Sequence, residues 1–157
     1  MQKVKIGFIG AGNMAQAIIH GMLKSGKYLP EQINLYDVDQ KKCEKLAEQG
    51  MQAAGSSQEV VKQSDIIFLA VKPQNYSEVL QGVRECVTQE KLFVSIAAGI
   101  SISYIIRELG VNCPVIRVMP NTPLLIGKGA TALCRADHVS EEQFQCVKEI
   151  FEASGET

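Results

Sequence analysis

Tryptophan is missing from this chain, and aromatic residues make up only 6% of it. Lysine and arginine (16) are balanced by aspartate and glutamate (17), and there is no basic run. The chain therefore lacks both the charge and the stacking side chains of a nucleic-acid surface. Histidine occurs only at His20 and His138, neither beside a Ser, Cys or Asp constellation, so both read as structural or surface residues. The five cysteines, Cys43, Cys86, Cys113, Cys134 and Cys146, are scattered, with no Cys-x-x-Cys pair and no histidine at ligand spacing. That argues against a metal site and predicts reduced thiols in a reducing compartment. No apolar run approaches the roughly 20 residues of a membrane-spanning helix. The N-terminal apolar run is cut by glycines too early for a signal-peptide core, which predicts a cytoplasmic protein.

What the chain does have is concentrated between Val4 and Leu23, VKIGFIGAGNMAQAIIHGML. Ile6 to Ile9 reads as a strand that breaks at Gly10-Ala11-Gly12, and from Asn13 the pattern is helical, with Met14, Ile18 and Met22 four apart. A strand, a glycine turn and a helix with the spacing Gly10-x-Gly12-x-x-Ala15 make a dinucleotide-binding turn. Gly10 permits a sharp reversal, and Gly12 lets backbone approach a pyrophosphate. Ala15 lets the helix sit close to the strand. The unpaired N–H groups of the first helical turn, with the positive end of the helix dipole behind them, face the phosphates.

Strands and helices then alternate to the end of the chain. Ile33 to Tyr36 is a short strand ending at Asp37. Asp39 caps a helix with Cys43, Leu46 and Ala47 inward, and Ser56-x-x-Glu59 opens a short helix through Lys62. Ile66 to Val71 is continuously apolar, the pattern of a parallel strand covered on both faces. Lys72-Pro73 ends it, before a helix with Tyr76, Val79, Leu80, Val83 and Val87 on one face. Leu92 to Ala97 is another buried strand, followed by a helix that Ser101 caps. Pro114 to Val118 and Ala130 to Cys134 are further strands, and Ser140-x-x-Gln143 caps a last helix with Phe144, Val147, Ile150 and Phe151 inward. With 157 residues and no linker, this describes one α/β domain. Its expected form is a Rossmann-type doubly wound, mostly parallel sheet with helices on both faces.

Ligands of such sheets bind outside the carboxyl ends of the strands. Those ends carry Gly10 to Met14, Asp37, Val71-Lys72-Pro73, Ala97-Ala98-Gly99 and Met119-Pro120-Asn121-Thr122-Pro123. Small residues and prolines at several strand ends suggest a flat channel for a nicotinamide and its ribose. Asp37 lies where the acid that accepts the adenosine ribose hydroxyls is placed. No arginine follows it, and Lys41 and Lys42 are the nearest positive charges. Charge favours NADH there while leaving NADPH open. Asp37 also reads simply as the cap of a turn.

The segments GFIGAGNMAQAIIHG (Gly7 to Gly21), DIIFLAVKPQ (Asp65 to Gln74), SIAAGIS (Ser95 to Ser101) and RVMPNTP (Arg117 to Pro123) carry a resemblance. Together they make the chain similar to the pyrroline-5-carboxylate reductases over essentially its whole length, and RVMPNTP is the most specific of them. The resemblance implies a homo-oligomeric NADPH- or NADH-dependent oxidoreductase of proline biosynthesis, which delivers hydride to the C=N carbon of 1-pyrroline-5-carboxylate to give L-proline. It implies that the backbone of Gly10, Ala11, Gly12, Asn13 and Met14 holds the pyrophosphate and that Asp37 meets the adenosine ribose. Val71, Lys72 and Pro73 would flank the cofactor, and Ala97, Ala98 and Gly99, with Asn121 and Thr122, would line the nicotinamide end. Ser57 stands near a position where many members carry a longer Asn against the adenosine ribose or its phosphate. No catalytic acid or base is implied within this chain, because a protonated cyclic imine already accepts hydride once donor and acceptor are aligned.

Members of that family continue into a helical domain that makes the dimer and most of the substrate pocket. Residues 1–157 are thus expected to be the cofactor-binding part, inactive alone, with apolar surface left on the helix ending at Phe151. The sequence leaves two other readings open. One is a related Rossmann dehydrogenase of 3-hydroxy acids or other imines. The other is a non-catalytic paralogue that keeps the dinucleotide fold as a binding module.

Overall fold

Uninterrupted apolar tetrads build the centre of the sheet, because a strand covered on both faces has no solvent side on which to place polar residues. The computed structural model describes residues 4–97, 99–120, 131–135 and 139–155. In chain order the elements are β1 (Ile6–Ile9), α1 (Asn13–Lys24), β2 (Ile33–Tyr36), α2 (Gln40–Ala47), β3 (Gln52–Ala53), α3 (Ser57–Gln63) and β4 (Ile66–Leu69). They continue with α4 (Tyr76–Val83), β5 (Leu92–Ser95), α5 (Ile102–Leu109), β6 (Val115–Pro120), β7 (Thr131–Arg135) and α6 (Glu141–Gly155). The seven strands form one sheet in the order β3-β2-β1-β4-β5-β6-β7. β1 to β6 pair in parallel, and β7 adds antiparallel at the edge. This is the doubly wound, mostly parallel sheet expected, with strand order reversing between β1 and β4.

Alternation along the strands sorts the core into two layers. Ile6, Phe8, Ile66, Phe68, Leu92, Val94, Ile116 and Val118 point to one face, where α1, α2 and α6 cover them through Ile18, Met22, Cys43, Leu46, Val147 and Phe151. Ile9, Ile67, Leu69, Phe93 and Val115 point to the other, under Val60, Leu80, Ile105 and Leu109 of α3, α4 and α5. Phe8 and Phe68 stack on adjacent strands, with ring centroids 4.7 Å apart.

Local caps follow the sequence. Asp39 accepts from Lys41 N, and Ser56, Ser101 and Ser140 each accept from the backbone N–H three residues on. At Ser140 the box is reciprocal, since Gln143 Oε1 accepts from Ser140 N at 3.0 Å. At Ser56 it is shifted by one residue, and Glu59 Oε2 takes the N–H of Gly55 instead, at 2.7 Å.

Several expectations need correction. The Ala130–Cys134 strand is β7, and it runs antiparallel rather than continuing the parallel winding. β3 escapes sequence reading because its two exposed residues, Gln52 and Ala53, have no periodicity. Ala47 is exposed, and α2 buries only Cys43 and Leu46. The fourth helix stops at Val83 and tightens into a 3-10 turn, Arg84–Cys86, before buried Val87. There the Arg84 guanidinium donates to the Glu108 carbonyl from both Nε (3.0 Å) and Nη2 (2.6 Å). The face of α6 expected to stay uncovered is spent in the core, with Val147 and Ile150 fully buried and Phe151 2% exposed. Among the described residues no helix is long and apolar enough to cross a membrane, and no cluster of three metal-ligating side chains occurs.

Candidate functional site

Register across the sheet decides which loops meet. Tyr36 pairs with Ile9, Ile9 with Leu69, Leu69 with Ser95, and Ser95 with Arg117, one continuous row over β2, β1, β4, β5 and β6. Every candidate strand-end segment begins within a few residues beyond that row. Asp37, the Gly10–Met14 turn, Val71-Lys72-Pro73, Ala97 and Gly99 therefore share one rim, at the carboxyl edge of the sheet. Because β1 lies between β2 and β4, the glycine turn sits at the reversal of strand order, where a crevice opens. Ser57, the first residue of α3, stands half-buried at the same edge, beyond β3. Ala98, Asn121 and Thr122 lie outside the described residues, as does His138.

The glycine turn is held tightly on one side and open on the other. Gly10 has φ +106°, a left-handed conformation, and a Cβ built on it would lie 2.6 Å from the carbonyl oxygen of Ala70. Its N–H donates to the Tyr36 carbonyl at 2.7 Å, while Ala70 N donates to the Ile9 carbonyl at 2.8 Å, so neither neighbour has room to retreat. At Gly12, by contrast, a Cβ would meet nothing within 4 Å. Gly12 is the N-cap of α1 and supplies no side-chain acceptor, and the first turn contains no acid. The N-terminal amides and the dipole of α1 thus have no carboxylate of their own helix to neutralise them. Ala15 is buried against the sheet, while Asn13 is exposed and Met14 half-buried. Gln16 Nε2 donates to the Ala11 carbonyl at 2.8 Å and fixes the turn from the helix side.

Asp37 is tied to that turn. Its Oδ2 accepts from Ala11 N at 2.7 Å, and its Oδ1 accepts from Asp39 N at 2.8 Å. The carboxylate is therefore both the turn cap and a group held at the rim. Cys43 places its thiol 3.8 Å from the Asp37 carbonyl, and burial pushes that thiol above its ordinary pKa.

On the other side of β1, Val71 is half-buried, and Lys72 and Pro73 are exposed, with Pro73 opening a short 3-10 turn to Asn75. The helical pattern marks Tyr76 as a core residue, yet its hydroxyl is polar support for the rim. It donates to the Leu69 carbonyl at 2.8 Å and lies 3.0 Å from Ser95 Oγ, joining the ends of β4 and β5. Burial pushes the Tyr76 phenol up, so it stays a neutral donor. The available signal was a serine ending an otherwise apolar strand and a tyrosine on a buried helical face. Tyr76→Phe is expected to cost about 1–2 kcal/mol, because the ring remains while the buried Ser95 hydroxyl and Leu69 carbonyl lose a partner. Urea denaturation of the two proteins measures it.

Arg117 closes the register row, and its Nε is buried with no hydrogen-bond partner. A groove of about 490 Å³ starts at Asn13, on the glycine turn, and runs along α1 past His20 towards Leu46. Of the strand-end segments the groove takes in only Asn13, while the rim collects the others.

Residues 5–99 match the family model described as NADP oxidoreductase coenzyme F420-dependent. The chain is 43% identical, over 97% of its length, to the pyrroline-5-carboxylate reductase of Escherichia coli (strain K12), and covers 57% of that protein. Among solved structures it is similar to a pyrroline-5-carboxylate reductase from Coxiella burnetii, with TM-score 0.92 and 28% identity, over 99% of this chain and 58% of the other. It is also similar to the Plasmodium falciparum pyrroline carboxylate reductase with NADP bound, with TM-score 0.86 and 29% identity, over 99% of this chain and 57% of the other. The chain thus spans somewhat under three fifths of the length of these relatives.

Proposed function

We propose a function from the premise that this chain belongs to the coenzyme F420-dependent NADP oxidoreductase family: it is the dinucleotide-binding part of a pyrroline-5-carboxylate reductase. The full-length protein would reduce 1-pyrroline-5-carboxylate to L-proline in the cytoplasm, as a homo-oligomer of at least two chains. The observation that carries this is the single rim, with Gly10–Met14, Asp37, Val71–Pro73, Ala97 and Gly99 at the ends of adjacent strands. Sequence likeness to the reductases over nearly the whole chain supports the same assignment.

The rim fits a dinucleotide. The first turn of α1 has no side-chain cap and opens at a glycine whose Cβ space is empty, and a carboxylate is fixed at the end of β2. The backbone of Ala11 to Met14 would receive the pyrophosphate and Asp37 the adenosine ribose. Val71 to Pro73, with Ala97 and Gly99, would flank the nicotinamide half. A reduced nicotinamide bound there supplies hydride. The residues of this chain do the remaining work at the rim, which is to orient that ring and keep its face accessible to an imine.

Assay of the full-length protein with 1-pyrroline-5-carboxylate and reduced dinucleotide is expected to yield L-proline. A polypeptide of residues 1–157 is expected to bind the dinucleotide with turnover below detection. Oxidation of 3-hydroxy acids in place of proline formation, or binding of no dinucleotide at all, overturns the assignment.

A further inference from the structure

We propose that Tyr76 is a positioning residue for the nicotinamide: its hydroxyl sets the gap between the two loops that would flank that ring, one beginning at Val71 and one at Ala97. The assignment rests on the dinucleotide-binding function proposed above. β4 and β5 pair in register from Ile66 and Leu92 up to Leu69 and Ser95. Beyond that last pair each strand leaves the sheet for its loop, so the ladder no longer sets the distance between the two chains. A single phenolic oxygen at the end of the ladder does.

Proton accounting shows how. A tyrosine hydroxyl has one proton to give. It goes to the Leu69 carbonyl at 2.8 Å, which can only accept. The 3.0 Å contact with Ser95 Oγ then runs the other way, with the serine hydroxyl donating to the phenol oxygen. Burial keeps the phenol protonated against the pull of Ser95 and of the nearby Ala97 and Ile96 amides, so this arrangement holds through neutral pH.

Tyr76 opens α4 and is 1% exposed. Its bond to the Leu69 carbonyl closes the segment that carries Val71, Lys72 and Pro73 back on its own starting point. That segment is also held by Ala70 N on the Ile9 carbonyl at 2.8 Å and by Asn75 N on the Lys72 carbonyl at 2.9 Å. The same phenol oxygen takes the proton of Ser95, two residues before Ala97. One atom therefore ties both loops.

A buried tyrosine can also serve the fold alone, and the two roles predict different results. Support for the fold would leave every ligand of a folded variant bound as before. Positioning acts only on the half of the ligand that lies against these loops. The other half stands on β1 and β2, where Gln16 Nε2 donates to the Ala11 carbonyl at 2.8 Å and Asp37 Oδ2 accepts from Ala11 N at 2.7 Å. Tyr76 has no part in those bonds.

The 157-residue chain and its variants are titrated with NADH and with ADP-ribose, which keeps the adenosine and both phosphates but lacks the nicotinamide. Tyr76→Phe is expected to weaken NADH about tenfold while ADP-ribose stays within about twofold, the size of one net hydrogen bond being lost on the nicotinamide side only. The fluorescence of the bound dihydronicotinamide should fall as its ring loses a fixed orientation. Ser95→Ala cuts the tie to the second loop, leaves the bond to Leu69 in place, and should give the same selective loss. The double variant should lose no more than the larger single loss, because both substitutions remove one shared interaction. Equal weakening of both ligands, or of neither, in the folded variants overturns the positioning role and leaves the dinucleotide site standing. Failure of the unmodified chain to bind NADH and ADP-ribose overturns the proposed function as well. If Tyr76→Phe does not fold, Ser95→Ala decides.

Discussion

Gly10→Ala is expected to destabilise the domain by about 3 kcal/mol or more and to remove dinucleotide binding with it. Two costs coincide at this position. The backbone sits at φ +106°, where a side chain is strained whatever the space, and the new methyl would lie 2.6 Å from the Ala70 oxygen and 2.7 Å from its carbon. Backbone atoms cannot yield as a flexible side chain does, and Ala70, the residue after β4, is held to Ile9 by a 2.8 Å hydrogen bond. Relief requires separating the end of β1 from the end of β4, the pair at which the strand order reverses. Gly12→Ala is the control, because its methyl meets nothing within 4 Å. It should cost no more than about 1 kcal/mol, the loss expected for alanine in place of glycine at a helix N-cap, and weaken binding at least tenfold, since the methyl occupies space that a phosphate would take. Thermal or urea unfolding, run beside dinucleotide titration, separates the two variants. A stable Gly10→Ala protein that still binds would refute the turn geometry.

Phe151→Ala carries the second large effect, about 3–5 kcal/mol. Phe151 is 2% exposed, and its ring centroid is 6.0 Å from that of Phe68, which in turn stacks on Phe8 of the central strand. The side chain is therefore the third member of an aromatic row through the core. Its removal leaves a cavity beneath α6, beside Val147 and Ile150, which are fully buried. For a domain whose whole stability is of order 5–15 kcal/mol, such a loss is severe. Denaturant unfolding measures it. A loss below about 1 kcal/mol would mean that α6 is a detachable appendage and not the cover of this face.

Features that depend on neighbours in the chain were legible before any coordinates. A capping serine acts on the N–H three residues later, so Ser56, Ser101 and Ser140 announced α3, α5 and α6. The glycine turn was equally plain, because strand, turn and helix are contiguous there. The Phe151 face differs from the expectation for the opposite reason. An apolar stripe at helical spacing records that a face is to be covered but not by what, and here α1 and the central strands already cover it. The role of the Tyr76 hydroxyl is likewise invisible in the sequence, since its partners Leu69 and Ser95 are brought to it by two strands.

The sequence by itself determined the α/β alternation, the glycine turn at the first strand and the acid ending the second, since propensity, capping and periodicity act over a few residues. Only the tertiary structure decided that β7 runs antiparallel and that Tyr36, Ile9, Leu69, Ser95 and Arg117 align in one row. It alone decided that both oxygens of Asp37 are engaged by backbone from two different loops. Those facts rest on strand register and crossover. Both are fixed by the simultaneous burial of two opposed sheet faces, a condition that no short segment of the chain can express.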